Sequence, residues 1–314
     1  MDEETGEEIE VRARVVINAT GVFTDELRQL DDWGVTPLVA ASQGVHIVLD
    51  RTFLPGDTAI MVPHTSDGRV LFAVPWHGRV LVGTTDTAVP EPSLEPRAQD
   101  EEIEFLLTHA IRYLTKDPAP SDVLSVFAGL RPLVGSSDSD TASLSRDHTL
   151  VVSPSGLVTI TGGKWTTYRK MGEDTVTQAA LVGGLPEVPS PTEELRLHGW
   201  TEQVVPAEPD SVYGTDISQI ELIEQERPEL AERLHPSLPY RASEVVWGAR
   251  NEMARTIEDV LSRRVRALLL DARASVEMAP TVARLLAEEL GRGSAWEEGQ
   301  VAEYTELASG YWLG

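Results

Sequence analysis

The side chains best suited to chemistry are two arginines and a lysine. Arg131 lies in Ala128-Gly129-Leu130-Arg131-Pro132 and Arg146 in Ser145-Arg146-Asp147. Both stand beside apolar runs that read as strands, and ligand sites commonly form at strand ends. A guanidinium offers a planar fork of donors that matches carboxylate or phosphate. Two such forks converging could hold a small dianion. The plainer reading is a surface ion pair for each, and Arg146 has Asp147 next to it. The third feature is Gly162-Gly163-Lys164-Trp165-Thr166-Thr167-Tyr168-Arg169. A strand pattern ends there at a double glycine and a helix pattern begins. The N–H groups and positive dipole end of a helix start attract anionic or electron-rich atoms. Lys164 adds a point charge, in a chain with three lysines (Lys116, Lys164, Lys170) against 23 arginines. The GxxxxGK[ST] spacing of a Walker loop is absent, so a plain helix cap is the competing reading.

Weaker candidates accompany these. Ala19-Thr20-Gly21 follows an apolar run, and a glycine there lets backbone approach a ring or phosphate. A simple turn glycine is the plainer reading and leads. Gly83-Thr84-Thr85-Asp86 sets hydroxyls and a carboxylate after a strand, where they could bind a polar ligand or close a hydrogen-bonded turn. Among seven histidines, none shows HExxH spacing. His46, after Ser42-Gln43-Gly44, could act as a base or anion ligand, although a lone strand histidine is more often structural. No GxSxG elbow supports serine hydrolysis. The Arg263, Arg264 and Arg266 cluster reads as a solvated or ion-paired helix face.

Short strand patterns must position these groups. They fall at residues 11–18, 45–49, 59–62, 69–74, 80–83, 123–127, 149–152 and 157–160, and close turn signals between them predict antiparallel pairing. Asp100 is placed to cap a helix whose apolar stripe is Ile103, Leu106, Leu107, Ala110, Ile111 and Leu114. A second helix is predicted over 164–181. Gly183-Gly184-Leu185-Pro186 opens a linker. Beyond it, 217–225, 229–234, 242–271, 276–290 and 295–307 read as amphipathic helices. The expected division is a strand-rich region at 1–182, a linker at 183–198 and an all-α region at 199–314.

Composition limits the function. The chain has 314 residues, 41% hydrophobic and 25% charged, as a folded protein requires. Its formal charge of -25 repels nucleic-acid phosphates and argues against a broad polyanion-binding surface. Without cysteine, disulfides, thiolate catalysis and zinc-thiolate or iron–sulfur sites are excluded. No histidine motif points to a metal. No apolar run nears the roughly 20 residues of a membrane helix, and the acidic opening is unlike a targeting peptide. A cytoplasmic chain is the expectation.

Taken in order, the motifs resemble the FAD-dependent glycerol-3-phosphate dehydrogenase family. The likeness rests on VVINATGVFTDELR (15–28), SQGVHIVLD (42–50), DGRVLFAVPWHGRVLVGTTDT (67–87), FAGLRPLV (127–134), SRDHTL (145–150) and TGGKWTTYRKMGED (161–174). Residues 240–271 are similar to the family's helical C-terminal domain. The resemblance implies an α+β fold: part of a Rossmann-like FAD-binding region with a mixed, mainly antiparallel substrate sheet, then an all-α C-terminal domain. It implies oxidation of sn-glycerol 3-phosphate to dihydroxyacetone phosphate, with hydride passing to FAD and electrons to quinone. Arg131 and Arg146 would hold the substrate, His46 would stand beside its carbon as base, and Lys164 would lie near the flavin. Thr20, Gly21, Thr84, Thr85, Gly162, Gly163, Thr166 and Thr167 would contact the cofactor. Peripheral contact with the inner face of the cell membrane and a homodimer are compatible with it.

The departure from the family is a missing strand–GxGxxG–helix, which holds the ADP half of FAD. The family's acidic ribose contact is also absent, and Val45 stands where a small residue is usual. The expectation is weak or absent FAD binding and no activity by the chain alone. A gene fragment, a misplaced start or half of a split enzyme would account for it. Two rivals stay open: an amino-acid or amine oxidase of the same fold, and a non-catalytic scaffold that binds a partner through its helices.

Overall fold

The structure is a computed structural model and describes residues 1–2, 4–62, 65, 69–135, 147–202 and 209–313. In chain order the main elements are β1 (Ile17–Asn18), α1 (Thr24–Asp31), β2 (Val39–Asp50), β3 (Ile60–Val62), β4 (Leu71–Trp76), β5 (Arg79–Gly83) and β6 (Thr87–Val89). Then come α2 (Asp100–Ala110), β7 (Val123–Val134), β8 (His148–Val152), β9 (Val158–Gly162) and α3 (Tyr168–Val182). The helical tail holds α4 (Ile217–Glu226), α5 (Ala242–Asn251), α6 (Ala267–Leu270), α7 (Ala272–Leu290) and α8 (Ser294–Ala308). Strands first and helices last make the chain α+β.

Packing sorts these elements into two compact units, each discontinuous in sequence. One comprises 1–43, 86–94 and 130–195; the other comprises 44–85, 95–129 and 196–314. These units cut across the linear division read from composition.

The first unit is built on a three-stranded sheet ordered β1-β9-β8. β1 runs parallel to β9, with Ile17 opposite Val158 and Asn18 opposite Thr159, and β8 is antiparallel to β9. Val158, Thr159, Ile160 and Thr161 are all buried. A continuous apolar and threonine run of this kind is what a strand covered on both faces requires. The first residues of β2 belong here too and pair with β6, Ser42 opposite Ala88.

In the second unit, β3, β4, β5 and the later part of β2 form antiparallel ladders. Val45, Ile47 and Leu49 are fully buried, each contributing about 2 kcal/mol of apolar transfer. They pack with Val80, Val82, Leu106 and Val126. A second core in this unit gathers Val245, Leu261, Leu268, Met278, Val282 and Leu286 of the helical tail. Polar contacts join sheet to tail: the Ser125 hydroxyl donates to the Leu268 carbonyl at 2.9 Å, and Arg79 donates to the Ser237 carbonyl at 2.9 Å.

Several predicted elements change form. The strand expected over 11–18 is reduced to Ile17–Asn18, and Val11 is exposed. The cap of α2 is Gln99 rather than Asp100: Glu102 reaches back to accept the Gln99 N–H at 3.1 Å, leaving Asp100 in the first turn, where its charge suits the dipole. The stretch 164–181 begins as a 3-10 turn, Trp165–Thr167, before α3. The helix expected over 229–234 is a 3-10 turn, Pro228–Ala231, because the chain bends back so that the Leu234 N–H reaches the Tyr240 carbonyl. The long helix expected over 242–271 is broken. α5 ends at Asn251, Met253 and Arg266 take positive φ, and a π-helical turn spans Asp259–Arg264. The Asp259 carboxylate stabilises the break by accepting the N–H groups of Arg255 and Thr256 at 2.9 and 3.1 Å.

Candidate active site

In the first unit, two parallel neighbours, β1 and β9, end side by side, and each leads through positive-φ glycine into a helix. Gly21 has φ 62°, Gly162 74° and Gly163 75°. Ligands of α/β sheets bind outside the carboxyl ends of parallel strands, which is where this pair of turns lies. The turns differ in what surrounds them. A Cβ on Gly21 would meet nothing within 4 Å, so its face is open to an incoming group. A Cβ on Gly162 would stand 2.7 Å from the Asp147 carbonyl and 2.9 Å from Val134, and one on Gly163 would run into Met171. Those two glycines let β9 fit against its own neighbours.

The β1 turn is held from below. Buried Asn18 donates its amide to the Thr24 carbonyl at 2.9 Å and accepts the Thr20 hydroxyl at 2.8 Å. The Thr24 hydroxyl donates to the Gly21 carbonyl at 2.7 Å. The hydroxyl of Thr20 therefore orders the turn. Its scaffold, Asn18 and Thr24, escaped sequence reading because an asparagine ending an apolar run looks like any turn residue.

At the β9 turn the Thr167 hydroxyl accepts the Lys164 N–H at 3.0 Å and donates to the Lys164 carbonyl at 2.9 Å. Thr166 is exposed, and exposed Trp165 stacks on Tyr168 with centroids 5.3 Å apart. The three lysines are placed unlike one another. Lys116 lies 4.0 Å over the Phe53 ring. Lys170 bridges Glu173 and Asp174, both at 2.9 Å. Its hydrogen bonds to Asp174 and then Glu173 hold its ammonium above the usual lysine range, and the same contacts hold both carboxyls below theirs. Lys164 is exposed and makes no ion pair among the described residues.

Arg131 pairs with Asp86 at 3.6 Å, and Asp86 also accepts the Ser42 hydroxyl. With Arg131 31% and Asp86 14% exposed, the pair contributes at most about 1 kcal/mol, and its greater effect is to aim the guanidinium. Ser42 and Asp86 are 44 residues apart, and no local signal connects them. Arg146 lies outside the described residues. His148, opposite Gly162 on β8, bonds Asp174 at 3.1 Å.

In the second unit, His46 stands opposite Gly83 across β2 and β5, and its ring stacks on Phe127 at 5.4 Å and 18°. The Thr84 hydroxyl donates to the Thr85 carbonyl at 3.2 Å. Thr85 is 3% exposed; its hydroxyl accepts the Val45 N–H at 3.0 Å and donates to Glu102 at 2.8 Å. That hydroxyl is spent tying β2 to α2, so the structure gives Thr85 a supporting place rather than a ligand-facing one.

The donor set of the first unit fits a flat, electron-rich and partly anionic group: an open glycine face, a helix start and an ammonium without an ion pair among the described residues. A family model described as FAD dependent oxidoreductase matches residues 2–169, and one described as the C-terminal domain of alpha-glycerophosphate oxidase matches 158–298. The chain belongs to the FAD-dependent oxidoreductase family. Within it, the chain is 39% identical over 322 residues to a probable mitochondrial glycerol-3-phosphate dehydrogenase of Caenorhabditis elegans, covering 95% of this chain and 44% of that protein. It is 37% identical over 327 residues to the mitochondrial glycerol-3-phosphate dehydrogenase of Homo sapiens, covering 97% and 44%. The chain thus spans less than half the length of these two relatives. Among solved structures, it resembles the glycerol-3-phosphate dehydrogenase from Bacillus halodurans complexed with FAD, with a TM-score of 0.80 and 28% identity over 96% of this chain and 63% of that one. No helix among the described residues is long and apolar enough to cross a membrane.

Proposed function

We propose that this chain carries the substrate side and part of the flavin side of an FAD-dependent oxidation of sn-glycerol 3-phosphate to dihydroxyacetone phosphate. Lys164 carries the reading: an ammonium without an ion pair among the described residues, at a helix start, in a chain of charge -25. Such a charge is kept available when something anionic or electron-rich is to lie against it. The names of the relatives above support the same activity.

Bound FAD would supply the hydride acceptor. Gly21 would leave room for it, and Gly162, Gly163 and Thr166 would contact it through backbone donors, with Thr20 and Thr167 ordering the two turns. Thr84 belongs with the cofactor contacts in this reading. Arg131, aimed by Asp86, and Arg146 would bind the phosphate and hydroxyl end of the substrate. His46 would take the hydroxyl proton. Lys164 would stabilise negative charge that develops as the carbinol is oxidised. Quinone is the proposed electron acceptor, which would bring the chain to the inner face of the cell membrane from the cytoplasm; a homodimer belongs to the same proposal. The sequence contains no GxGxxG, so contacts to the ADP half would come from elsewhere.

The test is flavin binding and glycerol 3-phosphate oxidation with a quinone analogue. The 314-residue chain is measured alone and then joined to the GxGxxG-bearing segment of a relative. Yellow protein that oxidises glycerol 3-phosphate in the joined form is expected. A joined protein that binds flavin yet oxidises amino acids in preference would overturn the substrate assignment.

A further inference from the structure

A base at His46 needs its ring held in a fixed plane. Across one face of the second unit's sheet, three residues on neighbouring strands form a row: Gly83 on β5, His46 on β2 and Phe127 on β7. Gly83 and His46 are directly opposed, and β7 pairs with β2. Opposed side chains on a sheet normally meet at about 5 Å between their Cβ atoms. Here one of the two is missing, and the imidazole occupies the space it leaves. A Cβ built on Gly83 would overlap the ring, coming within 2.6 Å of Nε2. Phe127 stacks on the same ring at 5.4 Å, nearly parallel at 18°. Gly83 is buried and does not have positive φ. Its lack of a side chain answers to the neighbouring ring; a strand glycine often marks such a close approach.

We propose that Gly83 and Phe127 are positioning residues that together fix the plane of the His46 imidazole, the glycine by vacating the space the ring enters and the phenyl by stacking on it. The proposal rests on the reading of His46 as the base. A base must sit within hydrogen-bond reach of the proton it removes, and a misplacement of about 1 Å can cost on the order of 100-fold. Gly83→Ala should tilt the ring without unfolding the sheet, because the added methyl meets a side chain that can turn.

The experiment pairs two readouts. The first is the ring-proton NMR shift of His46 in the 314-residue chain without flavin. The aromatic current of Phe127 should displace it in the parent and in Phe127→Tyr. Phe127→Leu and Gly83→Ala should both change it. The second is steady-state kinetics of the flavin-loaded protein. Gly83→Ala should lower kcat by about 100-fold with KM within about twofold. Phe127→Leu should lower kcat by about tenfold, and Phe127→Tyr should restore it. Unchanged His46 signals in both Gly83→Ala and Phe127→Leu would overturn the proposal, whatever the rates. Moved signals with kcat at the parent level would overturn it as well. A control separates it from the reading beneath it: full activity in His46→Ala removes His46 as the base, while the NMR arm still decides whether the ring is clamped.

Discussion

Gly21 and Gly83 both follow an apolar strand, yet they do opposite things. Gly21, in the first unit, faces open space. Gly83, in the second, is filled by the ring of His46. The surroundings match. Around the first-unit turns, Lys164, Trp165 and Thr166 are exposed. Around His46, the hydroxyl of Thr85 and the carboxylate of Glu102 are buried and bonded to each other and to backbone. The first region leaves these side chains in contact with solvent. The second spends its polar groups on tying β2 to the start of α2. A glycine is informative only once its neighbours are known.

The sharpest way to break this contrast is to compare two lysines only six residues apart. Lys164→Met should reduce turnover of the flavin-loaded protein by about 100-fold, in the range lost with one preorganised charge donor. Lys170→Met, whose charge is already neutralised by Glu173 and Asp174, should change it less than about threefold. Equal losses would remove the distinction between free and neutralised ammonium.

Asp86→Asn tests whether Arg131 is aimed. Weakening the contact at 3.6 Å should raise KM for glycerol 3-phosphate by about tenfold, the cost of loosening one charge-assisted partner, with kcat moving less. Steady-state kinetics at fixed acceptor concentration decides it.

Thr85→Val tests the second region as structure. It leaves the Val45 N–H and the buried Glu102 without their shared hydroxyl, which should cost about 1–3 kcal/mol in denaturant unfolding. Turnover per folded molecule should hold.

The smallest expected effect concerns the broken helix. Burial pushes the Asp259 carboxyl up, but the backbone N–H groups of Arg255 and Thr256, followed by the charges of Arg264 and Arg263, more than offset it and hold it below the usual range. A carboxyl depressed on folding adds stability above its unfolded value of about 4. That stability fades as pH falls through the lower folded value. Asp259→Asn should therefore lower stability at pH 7 by about 0.5–1 kcal/mol and by progressively less below pH 4, as thermal melts across that range would reveal.

Most strands were legible, because Val45, Ile47, Leu49, Val80 and Val82 alternate or run together as buried strands must. The tail helices were legible from apolar periodicity, except where 242–271 breaks. There the deciding group is the Asp259 carboxylate, whose backbone donors are four and three residues upstream, a pattern that an apolar stripe hides. At the site, Lys164 stood out by rarity and the glycine turns by punctuation. Thr85 read as a ligand-facing hydroxyl because sequence shows a group's type and not which partner consumes it.

By itself, the chain of residues settled composition, charge, the kinds of element and the ordered motifs that carry the family. Those depend on local spacing and side-chain chemistry, which a string records. Tertiary structure alone decided that packing units are discontinuous, that Ser42 and Asp86 stand behind Arg131, and which glycine faces open space and which a neighbouring ring. Each of these depends on contacts between residues tens of positions apart, and the energy of a buried contact is set by what surrounds it in space.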